Sequence, residues 1–167
     1  HDIDDEWRAR MSRLILAERA TAGDELTKQI AHLTWLVADA NGKTQLRALW
    51  TVHAMGAADE KWLAGLLKHD REEVRSAAVR MLADVGVNLK TTLERLTVMS
   101  HSDPSGLVLT YLASLLQRLP HEQRWDLARG LAMQKKYNDD RVLPLMVWYG
   151  IEAVSYTHLR AHETTDN

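Results

Sequence analysis

The chain has 167 residues, a formal net charge of -2 and no cysteine, and its length is sufficient for one compact domain with a substantial core. The near-neutral charge provides no basic field for nucleic acid or an anionic membrane, and no apolar run approaches the roughly 20 residues that a membrane-spanning helix needs. Without cysteine, these residues cannot form disulfides, zinc–thiolate sites, a catalytic thiolate or the covalent attachment of a c-type haem.

Apolar residues recur at helical spacing along the whole chain, and turn-forming residues divide them into nine predicted helices. No segment alternates apolar and polar residues for long enough to indicate a strand, so the sequence predicts an all-α chain. Some turn residues are also expected to start a helix, with Asp24 and Asp70 as N-caps and Pro104 at the first helical position. The predicted turns are Gly23–Asp24, Asn41–Gly42, Gly56–Asp59, His69–Asp70, Gly86–Asn88, Asp103–Pro104, Pro120 and Asp139–Asp140.

The segment from His69 to Val85 is the clearest helical unit of the chain, and the other units can be aligned with it. Asp70 occupies the N-cap position, and Glu73 three residues later nearly completes a capping box. Small residues in the middle of its apolar stripe are expected to let a second helix approach closely. The stripe lies on one face at helical period and consists of Val74, Ala77, Ala78, Met81, Leu82 and Val85.

This turn-plus-helix unit recurs at separations of 39, 28, 33 and 35 residues, the range of helical-hairpin repeats. The equivalent apolar anchors are Trp7, Leu46, Val74, Leu107 and Val142. The next residue is Arg in the first three copies (Arg8, Arg47, Arg75), and Asp precedes the helix in several (Asp5, Asp70, Asp103, Asp140). This Asp-and-Arg pattern resembles the HEAT repeat, in which such residues form ladders between neighbouring units. Because no hairpin buries its stripe alone, residues 1–153 are predicted to form an α-solenoid of four to five HEAT-like hairpins.

Four longer strings carry a second resemblance. In chain order they are LRALWTVHAMG (46–56), EVRSAAVRMLAD (73–84), LASLLQRLP (112–120) and LPLMVWYGIE (143–152). Together they resemble the helical-repeat region of PVC-type haem-binding CxxCH proteins, also called membrane-bound dehydrogenase-like proteins, over nearly all of residues 5–153. In that family the repeat region lies between a β-propeller similar to sugar dehydrogenases and a C-terminal cytochrome c domain.

The resemblance implies a non-catalytic fragment of a redox protein, a spacer or scaffold that contacts other domains of its parent or a protein partner. It implies no cofactor in these residues, because haem c would belong to the missing C-terminal part of the parent. It also implies a periplasmic or cell-envelope location. The pattern departs from the family at Ala153, where Pro is usual. The ninth helix is apolar nearly all round and is expected to be covered by further protein.

Residues 154–167 are predicted to be a non-native tail, because VSYTHLRAHET (154–164) resembles one reading frame of a transposase sequencing adapter. Within this tail, His158 and His162 have the i, i+4 spacing that can place two metal ligands on one helical face. No acidic third ligand accompanies them, so the pattern does not predict a metal site.

The remaining candidates for chemistry are better explained by the fold. His53 is expected to be a hydrogen-bonded core histidine rather than a haem or metal ligand. Gly42-Lys43-Thr44 resembles the end of a phosphate-binding loop but lacks the upstream glycine and the preceding strand. Four tryptophans lie on helical stripes and are expected in the core rather than in a cofactor site: Trp35, Trp50, Trp62 and Trp148.

Two alternative functions are consistent with a helical-repeat fold. The first is a stand-alone protein-binding HEAT-repeat adaptor, which predicts a native chain that ends near Ala153 with a polar closing helix. The second is a HEAT-like DNA glycosylase, which needs a basic concave face for phosphates. The net charge of -2 argues against the glycosylase.

Overall fold

The structure, a computed structural model, describes residues 2–40 and 42–152. Over these two ranges every regular element is helical and no strand is present, so the all-α prediction is confirmed. Two short 3-10 segments, Leu116–Arg118 and Lys135–Tyr137, follow α7 and α8. The α-helices are α1 (Asp2–Thr21), α2 (Thr27–Asp39), α3 (Gly42–Ala54), α4 (Glu60–Leu66), α5 (Glu72–Val85), α6 (Lys90–Ser102), α7 (Gly106–Leu115), α8 (His121–Ala132) and α9 (143–152).

The chain divides into two compact units, His1–Asp59 and Glu60–Asn167. In the first unit, α3 packs against both α1 and α2. Val37 of α2 and Leu49 of α3 are almost completely buried. Gln45 is also buried, and its Nε2 donates to the carbonyl of Val37 at 2.7 Å. A polar side chain therefore ties α3 to the preceding helix without leaving its own amide nitrogen unpaired.

The second unit stacks helical hairpins in chain order. The first helices of successive hairpins, α4, α6 and α8, pack on one another, and so do the second helices α5 and α7. This arrangement agrees with the predicted α-solenoid of helical hairpins. Its core contains fully buried side chains from every helix of these hairpins, among them Leu63, Val74, Met81, Leu82, Leu96, Leu109, Leu112 and Leu127.

The apolar stripe predicted for the segment from His69 to Val85 forms the core-facing side of α5. Val74, Ala78, Met81 and Leu82 are fully buried and Ala77 is nearly so. The last predicted stripe residue, Val85, is 41% exposed. Its inclusion in the core was wrong, because α5 ends at this residue and Gly86 then turns the chain with a positive φ of 98°.

The predicted helix starts at Asp24, Asp70 and Pro104 were wrong by one to two residues. Asp24 precedes the N-cap of α2 and accepts a hydrogen bond from Arg19 Nε at 2.7 Å instead.

The N-cap of α5 is Arg71 rather than Asp70, and its backbone N–H donates to His69 Nδ1 at 3.1 Å. In α7 the N-cap is Ser105, whose Oγ accepts from the Val108 N–H at 3.3 Å, so Pro104 lies outside the helix. The short polar side chain of Ser105 provides the cap acceptor that Pro104 lacks.

The apolar anchors that aligned the repeats were not equivalent in burial. Val74 is fully buried, whereas Trp7, Leu107 and Val142 are exposed and Leu46 is half-buried. In the last two units the buried residues are the next ones along the chain, Val108 and Leu143. The alignment was therefore out of register by one residue there, and one residue rotates a helical position by about 100°.

Two of the four tryptophans assigned to the core were also placed wrongly. Trp35 and Trp148 are each 55% exposed, whereas Trp50 and Trp62 are half-buried. Trp35 and Trp148 lie close in sequence to the buried residues Val37 and Val147, but they point to other faces of their helices. A neighbouring hairpin covers only one face of a helix, so an apolar residue outside that face stays in solvent.

Candidate functional site

Two of the residues predicted to form an inter-repeat ladder, Arg75 and Asp103, contact each other directly. Arg75 Nε donates to Asp103 Oδ2 at 2.8 Å and Nη2 donates to Oδ1 at 3.0 Å. The pair is therefore bidentate, the strongest geometry for a guanidinium and a carboxylate. The side chains are only 12% and 5% exposed. The ladder thus joins α5 to the turn between α6 and α7.

Arg75 also forms hydrogen bonds with the turn that precedes its own helix. Its Nη1 donates to the backbone carbonyls of His69 and Asp70, both at 2.9 Å. The hydrogen bonds to Asp103 raise the pKa of Arg75 above its usual value. Asp70 therefore contributes its carbonyl to the ladder, not the side-chain cap that its sequence position predicted.

In the turn between α6 and α7, Asp103 and Ser105 are connected to each other and to α5 by hydrogen bonds. Asp103 Oδ1 accepts a hydrogen bond from the Ser105 N–H at 3.0 Å. Ser105 Oγ in turn donates to Glu72 in the first turn of α5. Two consecutive hairpins are therefore connected through Arg75–Asp103 and through Ser105–Glu72. Pro104, between the two connected residues, is exposed and accepts a hydrogen bond from Tyr137 Oη at 3.2 Å through its carbonyl.

Of the remaining predicted ladder positions, Arg47 and Asp140 make defined contacts. Arg47 Nη2 donates to Glu6 Oε2 at 2.7 Å and so joins α3 to α1. The hydrogen bond from Arg47 lowers the pKa of Glu6 below its usual value. Asp140 Oδ1 accepts from the backbone N–H groups of Leu143 at 2.7 Å and Val142 at 2.8 Å, which lower the pKa of Asp140. Arg8 has an exposed side chain.

A cleft of about 550 Å³ lies between α1 and α3 in the first unit. Among the side chains that the structure describes, its lining includes four cationic groups and one carboxylate, and its apolar part is formed by Leu46 and Trp50. Trp50 packs edge-on against His53, with ring centroids 6.4 Å apart. We name this feature the α1–α3 cleft; its lining residues are Glu6, Arg10, Arg13, Lys43, Leu46, Arg47 and Trp50.

A family model of HEAT repeats matches residues 30–117, just over half of the chain. The chain belongs to the HEAT-repeat family. The matched HEAT-repeat range includes the two hairpins that the Arg75–Asp103 pair connects. Comparisons with curated proteins and with solved structures give no significant match.

Three further residues connect the HEAT hairpins and were missed by the sequence reasoning. Glu60 of α4 accepts from the backbone N–H groups of Asn88 and Leu89, at 2.9 to 3.1 Å, and thereby caps α6. Arg95 Nη1 donates to the carbonyl of Ala64 at 2.7 Å.

Arg124 is buried and donates to the carbonyls of Leu119 at 2.7 Å, Gly150 at 3.1 Å and Gln117 at 3.4 Å. It is the fourth residue of α8, as Arg75 is of α5, and each arginine reaches back to the carbonyl five residues earlier. The position of an Arg in the first turn of a predicted helix can be read from the sequence, and this signal could have identified Arg124.

The described part of these HEAT repeats contains no group of three or more His, Asp or Glu side chains suited to holding a metal ion. Among the same residues, none of the helices combines the length and the apolar character required to cross a membrane. His53, expected to be a core histidine, is half-buried on α3. His158, His162 and the adapter-like tail lie outside the described residues.

Proposed function

We propose that this chain is a non-catalytic HEAT-repeat scaffold that binds other proteins or protein domains. The observation that carries the proposal is the family match, because HEAT repeats generally serve as scaffolds for protein–protein contacts. Stacked repeats expose long side-by-side helical surfaces on which partners bind.

The distribution of exposed aromatic side chains supports a binding role. Trp7 on α1 is 63% exposed, and Trp148 and Tyr149 on α9 are 55% and 52% exposed. Aromatic residues are enriched at protein interfaces, where they provide large contact areas with little loss of conformational freedom.

The test of this proposal is affinity capture with the full chain, followed by titration of each captured protein against purified chain. Saturable binding that Trp148→Ala weakens, with the melting temperature unchanged, supports the scaffold. Multiple-turnover chemistry by the purified chain overturns it. A duplex-DNA complex that dissociates as salt is raised would instead favour the HEAT-like DNA glycosylase.

At a finer level, we propose that the scaffold is a spacer within a multidomain haem-binding redox protein of the cell envelope. The resemblance of the four ordered strings to PVC-type haem-binding CxxCH proteins supports this proposal. In it, haem c belongs to a different part of the parent, and this chain contacts the neighbouring propeller and cytochrome domains. The parent rather than the repeat region would be the oxidoreductase.

Recovery of the gene around this reading frame tests the finer proposal. A CxxCH motif downstream and propeller-like strands upstream would support the redox spacer. A reading frame that closes soon after residue 153 would contradict it and favour the stand-alone adaptor. Absorbance of a haem Soret band in the purified chain would contradict the assignment of haem to another part of the parent.

A further inference from the structure

Helices α8 and α9 can be aligned with the preceding hairpin, α6 and α7, through their buried residues. The offset is 32 positions from α6 to α8 and 35 positions from α7 to α9. The alignment identifies the side of α8 and α9 that corresponds to the covered side of the preceding hairpin. The matched buried residues are Thr92 and Arg124, Leu96 and Ala128, Met99 and Leu131, Val108 and Leu143, Leu112 and Val147, and Leu115 and Gly150.

One side of α6 and α7 is covered by the hairpin that follows. A Cβ atom at Gly130 of α8 would overlap Ser100 Oγ, and one at Gly150 of α9 would lie 2.6 Å from Leu116 Cβ. Ser100 and Leu116 each belong to a set of residues with i, i+4, i+7 spacing, which places each set on one helical face. These residues are buried or half-buried: Leu93, Thr97 and Ser100 on α6, and Leu109, Ala113 and Leu116 on α7.

The equivalent side of α8 and α9 is exposed. Trp125 is 53% exposed where α6 has Leu93, and Trp148 is 55% exposed where α7 has Ala113. Large apolar side chains grouped on one exposed face are typical of an interaction site. We name this face the end surface; it consists of Trp125, Arg129 and Ala132 on α8 and of Pro144, Trp148 and Ile151 on α9.

The end surface also contains a groove of about 230 Å³ between α8 and α9. Ala132 and Pro144 line the groove, and Trp148 lies one helical turn from Pro144 on the same face. A twofold interface brings the same patch of both subunits together, so that patch must contain both the groove and the side chains that cover it. The other residues that line the groove are Leu131, Gln134, Tyr137, Asn138, Leu143 and Val147.

The charges at the rim of the end surface are compatible with self-association. Arg129 Nη2 lies 2.9 Å from Asp126 Oδ1, and the two side chains are 67% and 71% exposed. Like charges that meet across an interface cost free energy, whereas this pair brings both signs to the rim. Because an exposed ion pair contributes little to stability, Arg129 can exchange its own Asp126 for a carboxylate of a second copy.

We propose that the end surface binds the end surface of a second copy of this chain about a twofold axis, with Trp125 and Trp148 of each copy packed on the α8–α9 hairpin of the other. This contact continues the stacking of hairpins that covers α6 and α7. Tryptophan and arginine are the residues that most often dominate protein interfaces energetically. The inference goes beyond the proposed scaffold function and does not depend on it.

The test is sedimentation equilibrium of the full chain over about a hundredfold range of concentration. We expect a reversible equilibrium between one and two chains, because a twofold contact closes after two copies. We also expect the melting temperature to rise with chain concentration, since association stabilises the folded state by mass action. Because apolar contacts carry the interface, raised salt should not weaken it.

Two variants with the same change of charge localise the contact. Trp148→Glu removes an aromatic side chain from the end surface and places like charges near each other in the dimer. Val98→Glu adds the same charge at a residue of α6 that is 63% exposed and lies outside the end surface. We expect the dissociation constant of the dimer to rise at least about tenfold in Trp148→Glu and to change less than about twofold in Val98→Glu. Circular dichroism verifies folding, and Trp125→Glu replaces Trp148→Glu if the latter unfolds.

A chain that stays monomeric over the whole concentration range would overturn the inference. A mass that grows beyond two chains would contradict the twofold contact, and equal effects of the two variants would contradict its location. A monomeric chain whose captured partner binds Trp148→Glu but not Val98→Glu more weakly would assign the end surface to that partner and leave the scaffold proposal in place. A dimer that captures no other protein would leave this inference in place and contradict the scaffold.

Discussion

Arg75 joins two HEAT hairpins through a charge pair that has little access to water. The guanidinium makes two hydrogen bonds to Asp103 and two more to the carbonyls of the turn before α5. Removal of one partner from such a pair leaves a desolvated charge without compensation. At the scale of single residues, this pair should therefore contribute far more to stability than the exposed ion pairs of the chain.

We expect Arg75→Ala to lower the free energy of unfolding by about 3 kcal/mol, measured by urea denaturation followed by circular dichroism. The matched control is Arg129→Ala, whose pair with Asp126 is 67% and 71% exposed. An exposed pair of this kind is worth less than about 1 kcal/mol. Equal losses in the two variants would show that the ladder is not a structural element of the fold.

Glu6 predicts a pH dependence of stability in the first unit. Its pKa is lowered from 4.5, chiefly by the hydrogen bond from Arg47. A carboxyl whose pKa is lower in the folded state stabilises above its unfolded pKa, and this contribution is lost as pH falls through the folded pKa.

We therefore expect the chain to melt at a higher temperature than Glu6→Gln at neutral pH, and the difference to disappear as the pH falls below about 4.5. Glu18→Gln changes an exposed carboxyl on the same helix outside the cleft and serves as the control. A melting difference for Glu6→Gln that persists unchanged at acidic pH would contradict the assigned charge pair.

At the scale of elements, close packing of α9 depends on a glycine. A Cβ atom at Gly150 would lie 2.6 Å from Leu116 Cβ, and Leu116 is fully buried. The Cβ of Leu116 cannot move without its backbone, so the added methyl group must displace a helix. Gly150 also presents its carbonyl to Arg124, which makes this contact part of the hairpin junction.

We expect Gly150→Ala to destabilise the chain by about 1–3 kcal/mol through overpacking. Gly65→Ala is the control, because Gly65 is an exposed residue of α4 and its added Cβ would meet no atom within 4 Å. There the better helix propensity of Ala should instead stabilise by up to about 1 kcal/mol. Opposite signs in thermal or urea unfolding are the expected result, and equal signs would count against the close approach.

Helix α6 is capped by a residue of the preceding hairpin. Glu60 accepts from the N–H groups of Asn88 and Leu89, which replaces a local cap at the N-cap residue Leu89. We expect Glu60→Ala to accelerate hydrogen exchange at Asn88 and Leu89, because unpaired N–H groups at a helix start are open to solvent. Glu94→Ala, at an exposed carboxyl of α6, should leave these two amides unchanged.

At the scale of the whole molecule, two compact units divide at Asp59 and Glu60. The second unit is built like a repeat protein, because each hairpin packs against the next one along the chain. In such proteins the free energy of folding is approximately a sum of the contributions of single repeats and of the interfaces between adjacent repeats. Membership of the HEAT-repeat family supports the proposed scaffold function, because HEAT repeats generally serve as scaffolds for protein–protein contacts.

Several properties of this protein were determined by its sequence alone. The helical periods, the turn residues and the repeat separations predicted an all-α stack of HEAT-like hairpins. The predicted apolar stripe from Val74 to Leu82 is the buried face of α5. These features are local, because each depends on residues within a few turns of one helix. The same reasoning identified Arg75 and Asp103 as ladder positions.

Only the tertiary structure decided which residues meet and which faces are covered. The pairing of Arg75 with Asp103, the cap that Glu60 provides for α6 and the cleft between α1 and α3 join residues 28 to 41 positions apart. The same long-range packing left Trp35 and Trp148 exposed. A periodic stripe specifies a helix, but the position of the next hairpin determines which side of that helix is buried.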